Sequence, residues 1–355
     1  MLTVLVVDDS ALMRRALRDV LEAEGDIRVE IARDGQDALD QVARIQPDVI
    51  TLDIHMPVMD GLTCLSHLMT DPPCPVIMVS SLTEKGALAT FEAMELGAFD
   101  YVAKPGGTVS TDLDGIRRDL VTKIRAATGT ATTSTRQPAP ERRRAPSAPA
   151  APAAPAASAR GDRLLVIGVS TGGPRTLEQI LPLLPVGAGW PVLVIQHMPA
   201  SFTAVFARRL DGLCQLPVRE VDRPTRLEND VIHLARGDAD ITLSRRAAGL
   251  SLVPTPLNEE HLWHPSVSRF LQSADGLLAP GSLIGVLLTG MGDDGARELA
   301  DWHHKGARTI AEAEETATVF GMPQELINHQ GATEILPSHG IGDRLVAWTQ
   351  TGERA

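Results

Sequence analysis

The chain has 355 residues, enough for two domains at about 150 residues each. Hydrophobic residues make up 43% and charged residues 22%, a globular balance, and a net charge of −12 argues against the basic surface that nucleic-acid binding requires. Three cysteines (Cys64, Cys74, Cys214) form neither a disulfide framework nor a zinc signature, and no apolar run approaches the ~20 residues of a membrane helix, so a cytoplasmic protein without membrane insertion is expected.

The N-terminal apolar run meets Asp8-Asp9 too early for a secretory signal and instead predicts a first strand over residues 3–7. Further strands are predicted at 28–32, 48–53, 75–80 and 98–103, alternating with helical patterns near 11–24, 36–45, 61–69, 84–95 and 110–125. Five βα units of this length imply a doubly wound parallel sheet over 1–125. Residues 126–160 carry 13 Ala, 6 Pro, 5 Thr and 3 Ser but no Val, Ile, Leu, Met or aromatic residue, which predicts a flexible linker. Net charges of −9, +4 and −7 for 1–125, 126–160 and 161–355 support the same division. Strands at 163–169, 191–196 and 283–289 make the third segment, 161–350, a second doubly wound α/β unit.

In an open parallel sheet, reactive groups collect beyond the carboxyl ends of the strands. The first unit carries Asp8-Asp9, Asp53, Ser80 and Lys104 at those ends. Carboxylates converging on one crevice invite a hard divalent cation, Mg²⁺, which would screen an incoming phosphoryl group while a carboxylate attacks phosphorus. Lys104 supplies a fixed positive charge and Ser80 a hydroxyl for the phosphoryl oxygens. In the second unit, Gly168-Val169-Ser170-Thr171-Gly172-Gly173 predicts a sharp strand-to-helix turn exposing a hydroxyl, with helix-opening amides nearby for an oxyanion. His197 follows one strand, and Gly290-Met291-Gly292-Asp293-Asp294-Gly295 follows another. Hydroxyl, imidazole and carboxylate in one crevice make a nucleophilic triad. The rival dinucleotide reading of Gly168-x-Ser170-x-x-Gly173 lacks its middle glycine and an acid at the end of the next strand.

VLVVDDSALMR (4–14), DVITLDIHMPVMDG (48–61), VIMVSSLT (76–83) and DYVAKPG (100–106) resemble the motifs of a response-regulator receiver domain, which is flavodoxin-like. That resemblance implies phosphorylation of Asp53 by a histidine kinase. It also implies Mg²⁺ held by Asp8, Asp9, Asp53 and the His55 carbonyl, a Ser80–Tyr101 switch pair, and Lys104 on the phosphate. IGVSTGGP (167–174), VIQHMPASFTAVFARRL (194–210), GVLLTGMGDDGA (285–296) and TATVFGMP (316–323) resemble the Rossmann-like serine-hydrolase domain of chemotaxis protein-glutamate methylesterases. The implied activity is hydrolysis of glutamate methyl esters on methyl-accepting chemoreceptor helices, with glutamine deamidation as a second reaction and no cofactor for either. The implied triad is Ser170, His197 and Asp294, with Asp293 as its adjacent competitor and the amides near Thr171 and Met291 as oxyanion donors. A monomer with its hydrolase site covered by the unphosphorylated receiver is expected. Residues 258–268 depart from the family's Asn-Arg-His-Arg-Pro-Ser-Val-Asp pattern, a change expected to bear on substrate contacts or the second reaction and not on the triad. Other readings of the pair of domains are a regulator of a non-chemotaxis receptor pathway, a silent phosphorylation-dependent binding module, and a DNA-binding regulator, which the acidic output segment opposes. His261-x-x-His264 and His303-His304 read as loop or surface residues.

Overall fold

The computed structural model describes residues 1–70, 74–104, 113–129, 162–247 and 249–350; most of the linker predicted at 126–160 lies outside them. The chain folds into two α/β units, each built on a parallel sheet.

The first runs β1 (Leu2–Val7), α1 (Ala11–Glu22), β2 (Ile27–Ala32), α2 (Gly35–Ile45), β3 (Val49–Asp53), α3 (Gly61–Leu68), β4 (Val76–Ser80), α4 (Glu84–Leu96), β5 (Asp100–Ala103) and α5 (Leu113–Ala127). Strands β3 and β4 are buried along their whole length, as strands covered by helices on both faces must be. Side-chain caps start four of the helices: Ser10, Asp34, Asp60 and Thr83 each accept an N–H from the first turn. The strand order is β2-β1-β3-β4-β5. The chain reverses direction across the sheet between β1 and β3, so the crevice opens where Asp8-Asp9 and Asp53 emerge.

The second unit runs β6 (Leu164–Val169), α6 (Gly173–Ile180), β7 (Val192–Gln196), α7 (Ala200–Leu213), β8 (Val218–Val221), β9 (Thr225–Arg226), β10 (Ile232–Ala235), β11 (Asp240–Arg246), β12 (Gly249–Thr255), α8 (Val267–Ala274), β13 (Leu283–Leu287), α9 (Ala296–His304), β14 (Arg308–Glu312), α10 (Met322–Asn328), β15 (Glu334–Leu336) and α11 (Ser338–Gln350). Seven strands pair in parallel in the order β15-β14-β13-β6-β7-β10-β8. Strand β6 lies between β7 and β13, and this is the second switch point. The expected wholly parallel unit also carries a small antiparallel sheet, β11-β12-β9. That sheet packs beneath α8 and delivers Asp240 to the loops that follow it.

Rings are scarce in this sequence, yet three of its six phenylalanines and its only tyrosine meet at the junction of the two units. Phe91 of α4 stacks on Phe206 of α7 (5.1 Å between centroids) and meets Phe202 edge-on at 6.3 Å. Tyr101 of β5 stacks on Phe202 at 4.7 Å. Arg208–Glu84 closes the rim at 2.9 Å, and Arg209 bridges Glu178 of its own unit to Glu95 of α4.

Candidate active site

The receiver-like crevice holds Asp8, Asp9 and Asp53 with one carboxylate oxygen of each within 4.8 Å of the others; among the described residues this is the only such cluster of potential metal ligands. Lys104 Nζ lies 2.8 Å from both Asp8 Oδ2 and Asp53 Oδ2. Burial raises the pKa of Asp53 and proximity to Asp8 adds to that, while Lys104 and a hydrogen bond from the His55 amide work against it. Three hard oxygen donors converging around one point suit Mg²⁺. Ser80 is buried and donates to the Gly86 carbonyl at 3.1 Å, at the start of α4. Tyr101 is also buried, but its ring is turned into the junction and stacked on Phe202.

Some 560 Å³ of cleft separates α5 and β5 from the carboxyl ends of β6, β7 and β13; Ser170, His197, Trp263 and Met291 line one wall, Tyr101 and Lys123 the other. Ser170 leaves β6 in a turn that Gly172 completes with φ +79°, in the left-handed region that glycine adopts without strain. Gly290, after β13, approaches so closely that a Cβ there would lie 2.7 Å from Ser170 Cβ. Gln196, the last residue of β7, ties the turn to the imidazole loop: its Nε2 donates to the main-chain carbonyls of Ser170 (3.0 Å) and His197 (3.1 Å).

His197 Nε2 and Asp294 Oδ2 are 2.9 Å apart. Asp294 also accepts from Ser266 Oγ (2.9 Å), Val267 N (2.6 Å) and Ser268 N (3.0 Å). Burial pushes its pKa up, but His197 and these amides prevail and hold it at about 2. An ionised carboxylate only accepts, so Nε2 carries a hydrogen; in the neutral tautomer this leaves the lone pair on Nδ1. Nδ1 is buried and has no hydrogen-bond partner among the described residues. No hydrogen bond joins Ser170 Oγ to His197 among those residues, a common condition of catalytic pairs before substrate closes the site. The amides of Thr171 and Met291 donate to no protein acceptor among the described residues. Asp293 makes no hydrogen bond to His197 among the described residues, and Asp294 makes the bond.

The 258–268 segment corrects one expectation. It does touch the expected triad, because Ser266, Val267 and Ser268 hold Asp294 and Trp263 lies parallel to the His197 ring at 5.6 Å. Asp240, at the head of β11, in turn holds the segment through His264 Nδ1, Ser266 N and Asn258 N. The sequence reading missed Asp240, Gln196, Trp263 and Ser266. Only Ser266 carries a local signal, since it caps α8. His261 and His264 form no metal group among the described residues, and His303 is half-buried against Thr309 and Thr333 instead of facing solvent.

Two family models match the chain: CheB methylesterase over residues 165–345, and response regulator receiver domain over residues 4–110. A protein-glutamate methylesterase/protein-glutamine glutaminase of Rhodospirillum rubrum is 49% identical over 98% of this chain and 96% of its own length. One of Rhodopseudomonas palustris is 47% identical over 98% of both. The CheB methylesterase catalytic domain of Thermotoga maritima superposes with a TM-score of 0.50 at 33% identity, covering 53% of this chain and 99% of that domain.

Proposed function

The chain belongs to the CheB methylesterase family, and on that premise we propose how its residues carry out the family's reaction. It is a protein-glutamate methylesterase/protein-glutamine glutaminase with a receiver domain in front. Hydrolysis, and not silent binding, is the reading its relatives favour.

Ser170 Oγ attacks the ester carbonyl carbon and its proton passes to His197 Nδ1. The imidazolium so formed is stabilised through Nε2 by Asp294, which stays ionised. The oxyanion of the tetrahedral intermediate points at the Thr171 and Met291 amides. As the carbonyl re-forms, the C–O bond to methanol breaks and Nδ1–H protonates the leaving oxygen. Water, deprotonated by the same nitrogen, then attacks the acyl-serine and frees glutamate and Ser170. A glutamine side chain follows the same course with ammonia as the leaving group. The substrate is a glutamate on a cytoplasmic chemoreceptor helix.

Asp53 takes a phosphoryl group from the phosphohistidine of a kinase. Asp8, Asp9 and Asp53, with the His55 carbonyl, would hold Mg²⁺, which when bound neutralises charge on the phosphoryl oxygens. Lys104 pairs with the modified aspartate, and Ser80 turns toward it. The receiver face carrying Tyr101 and Lys123 stands across the cleft from Ser170, so unmodified receiver covers the hydrolase and phosphorylation shifts the population toward an uncovered form. The chain works as a cytoplasmic monomer; no helix among the described residues is long and apolar enough to cross a membrane.

The bond from His197 to an ionised Asp294, with Nδ1 unpartnered and Ser170 lining the same cleft as His197, carries this reading. Methanol release from methylated receptor tests it. Ser170→Ala and His197→Ala should each lower kcat by at least about 10³-fold while retaining wild-type circular dichroism. Wild-type rates in either folded variant would refute the assignment.

A further inference from the structure

Esters and amides react through one intermediate here, and they differ in the group that departs. That group must end beside the atom that protonates it, His197 Nδ1, so the surroundings of the imidazole decide which leaving group is welcome. This reasoning rests on the hydrolase reading above.

Trp263 dominates those surroundings. Its ring lies 5.6 Å from the His197 ring, centroid to centroid, at an interplanar angle of 6°. Its other edge reaches the turn after β13, where a Cβ on Gly292 would lie 2.8 Å from Nε1. The indole therefore spans from the proton donor to the turn that supplies the Met291 amide. Met198 and Met291 border the same cleft with apolar, polarisable side chains. Gln196, the amide side chain on this wall, has its Nε2 bound to two carbonyls, while its Oε1 is buried beneath Gly173 without a hydrogen-bond partner among the described residues.

The indole is also held in place. Asn258 N donates to Asp240 Oδ2 at 3.0 Å, while His264 Nδ1 (2.9 Å) and Ser266 N (3.0 Å) meet Oδ1. Asp240 is 1% exposed, so one buried carboxylate pins both ends of the segment that carries Trp263. We infer that Trp263 is a specificity-determining residue whose indole walls the leaving-group position and favours release of methanol over release of ammonia. An ester methyl gains contact against that wall. An amide NH₂ placed against the indole gives up water and gains no acceptor from that face in exchange. One methyl group in a fitted apolar site discriminates by about 10- to 200-fold.

Two helical peptides of one sequence, carrying a glutamate methyl ester or a glutamine at the same position, serve as probes for the full-length protein. Methanol and ammonia release give kcat/KM for each, and comparing the ester-to-amide ratio of a variant with that of wild type cancels the intrinsic reactivity of the two bonds. Trp263→Gln should lower the ester-to-amide ratio by about 10-fold. Trp263→Phe and Trp263→Leu, which stay apolar, should keep it within about 3-fold of wild type even if both rates fall. An unchanged ratio in Trp263→Gln, with the two reactions slowed alike, would reduce Trp263 to a structural support and overturn the inference. A ratio that falls equally in Trp263→Leu would overturn it too, since apolarity would then not be the cause. Wild type releasing neither product would remove the hydrolase reading along with it.

Discussion

Asp294 shows how much a single side chain depends on its neighbours. Four donors meet its two oxygens, and the carboxyl is held at about 2 against an ordinary value of 3.8. A depressed folded-state pKa contributes stability that is complete above about pH 4 and is lost as pH falls through about 2. The shift corresponds to about 2–3 kcal/mol. Urea unfolding of wild type and Asp294→Asn, followed from pH 5 to pH 2, should show the wild type losing about that much more in this window; parallel curves would contradict the account. Ser170 and the aspartates of the receiver crevice were legible in the sequence because each stands directly after an apolar strand. Asp240 and Trp263 were not legible. Their partners lie 18–66 positions away, and an aspartate at the head of a strand or a tryptophan in a loop has no local mark of function.

Among the elements, α4 and α7 form the seam between the two units. Helix α4 is capped by Thr83 and ended by Gly97 in the left-handed region, and Ser80 touches its first turn through the Gly86 carbonyl. Its opposite side presents Phe91 to α7. On the proposed reading, a change at the Asp53 crevice would reach the junction through this helix. Phe91→Ala removes a fully desolvated anchor of the kind that dominates interfaces. It should raise methanol release in the absence of phosphodonor by about 5- to 10-fold, whereas Leu12→Ala on the exposed face of α1 should leave it unaltered. No rise in the Phe91 variant would mean that this seam does not restrain the hydrolase. The helix and strand positions named for the first unit, and the three strands named for the second, were readable from periodicity to within a few residues. The β11-β12 hairpin was overlooked because its turn, closing on Gly249, lacks the Asn-Gly or Asp-Gly signal of short hairpins.

At the scale of the molecule, two switch-point crevices are set in series, one acidic and one nucleophilic, with the ring-lined junction between them. Asp53→Asn should retain basal methanol release and lose its stimulation by a small-molecule phosphodonor; stimulation that persists would place the controlling phosphorylation elsewhere. Sequence alone determined the two α/β units, the strand ends that bear chemistry, and the family resemblance that names the reaction. It could do so because strand and helix patterning, caps and motif residues are encoded within a few positions of one another. Only the tertiary structure decided which imidazole nitrogen is free, which aspartate of the Asp293-Asp294 pair holds His197, and what surrounds the leaving group. Those depend on strand order and on contacts such as the one across 97 positions between His197 and Asp294, and no local pattern carries that information.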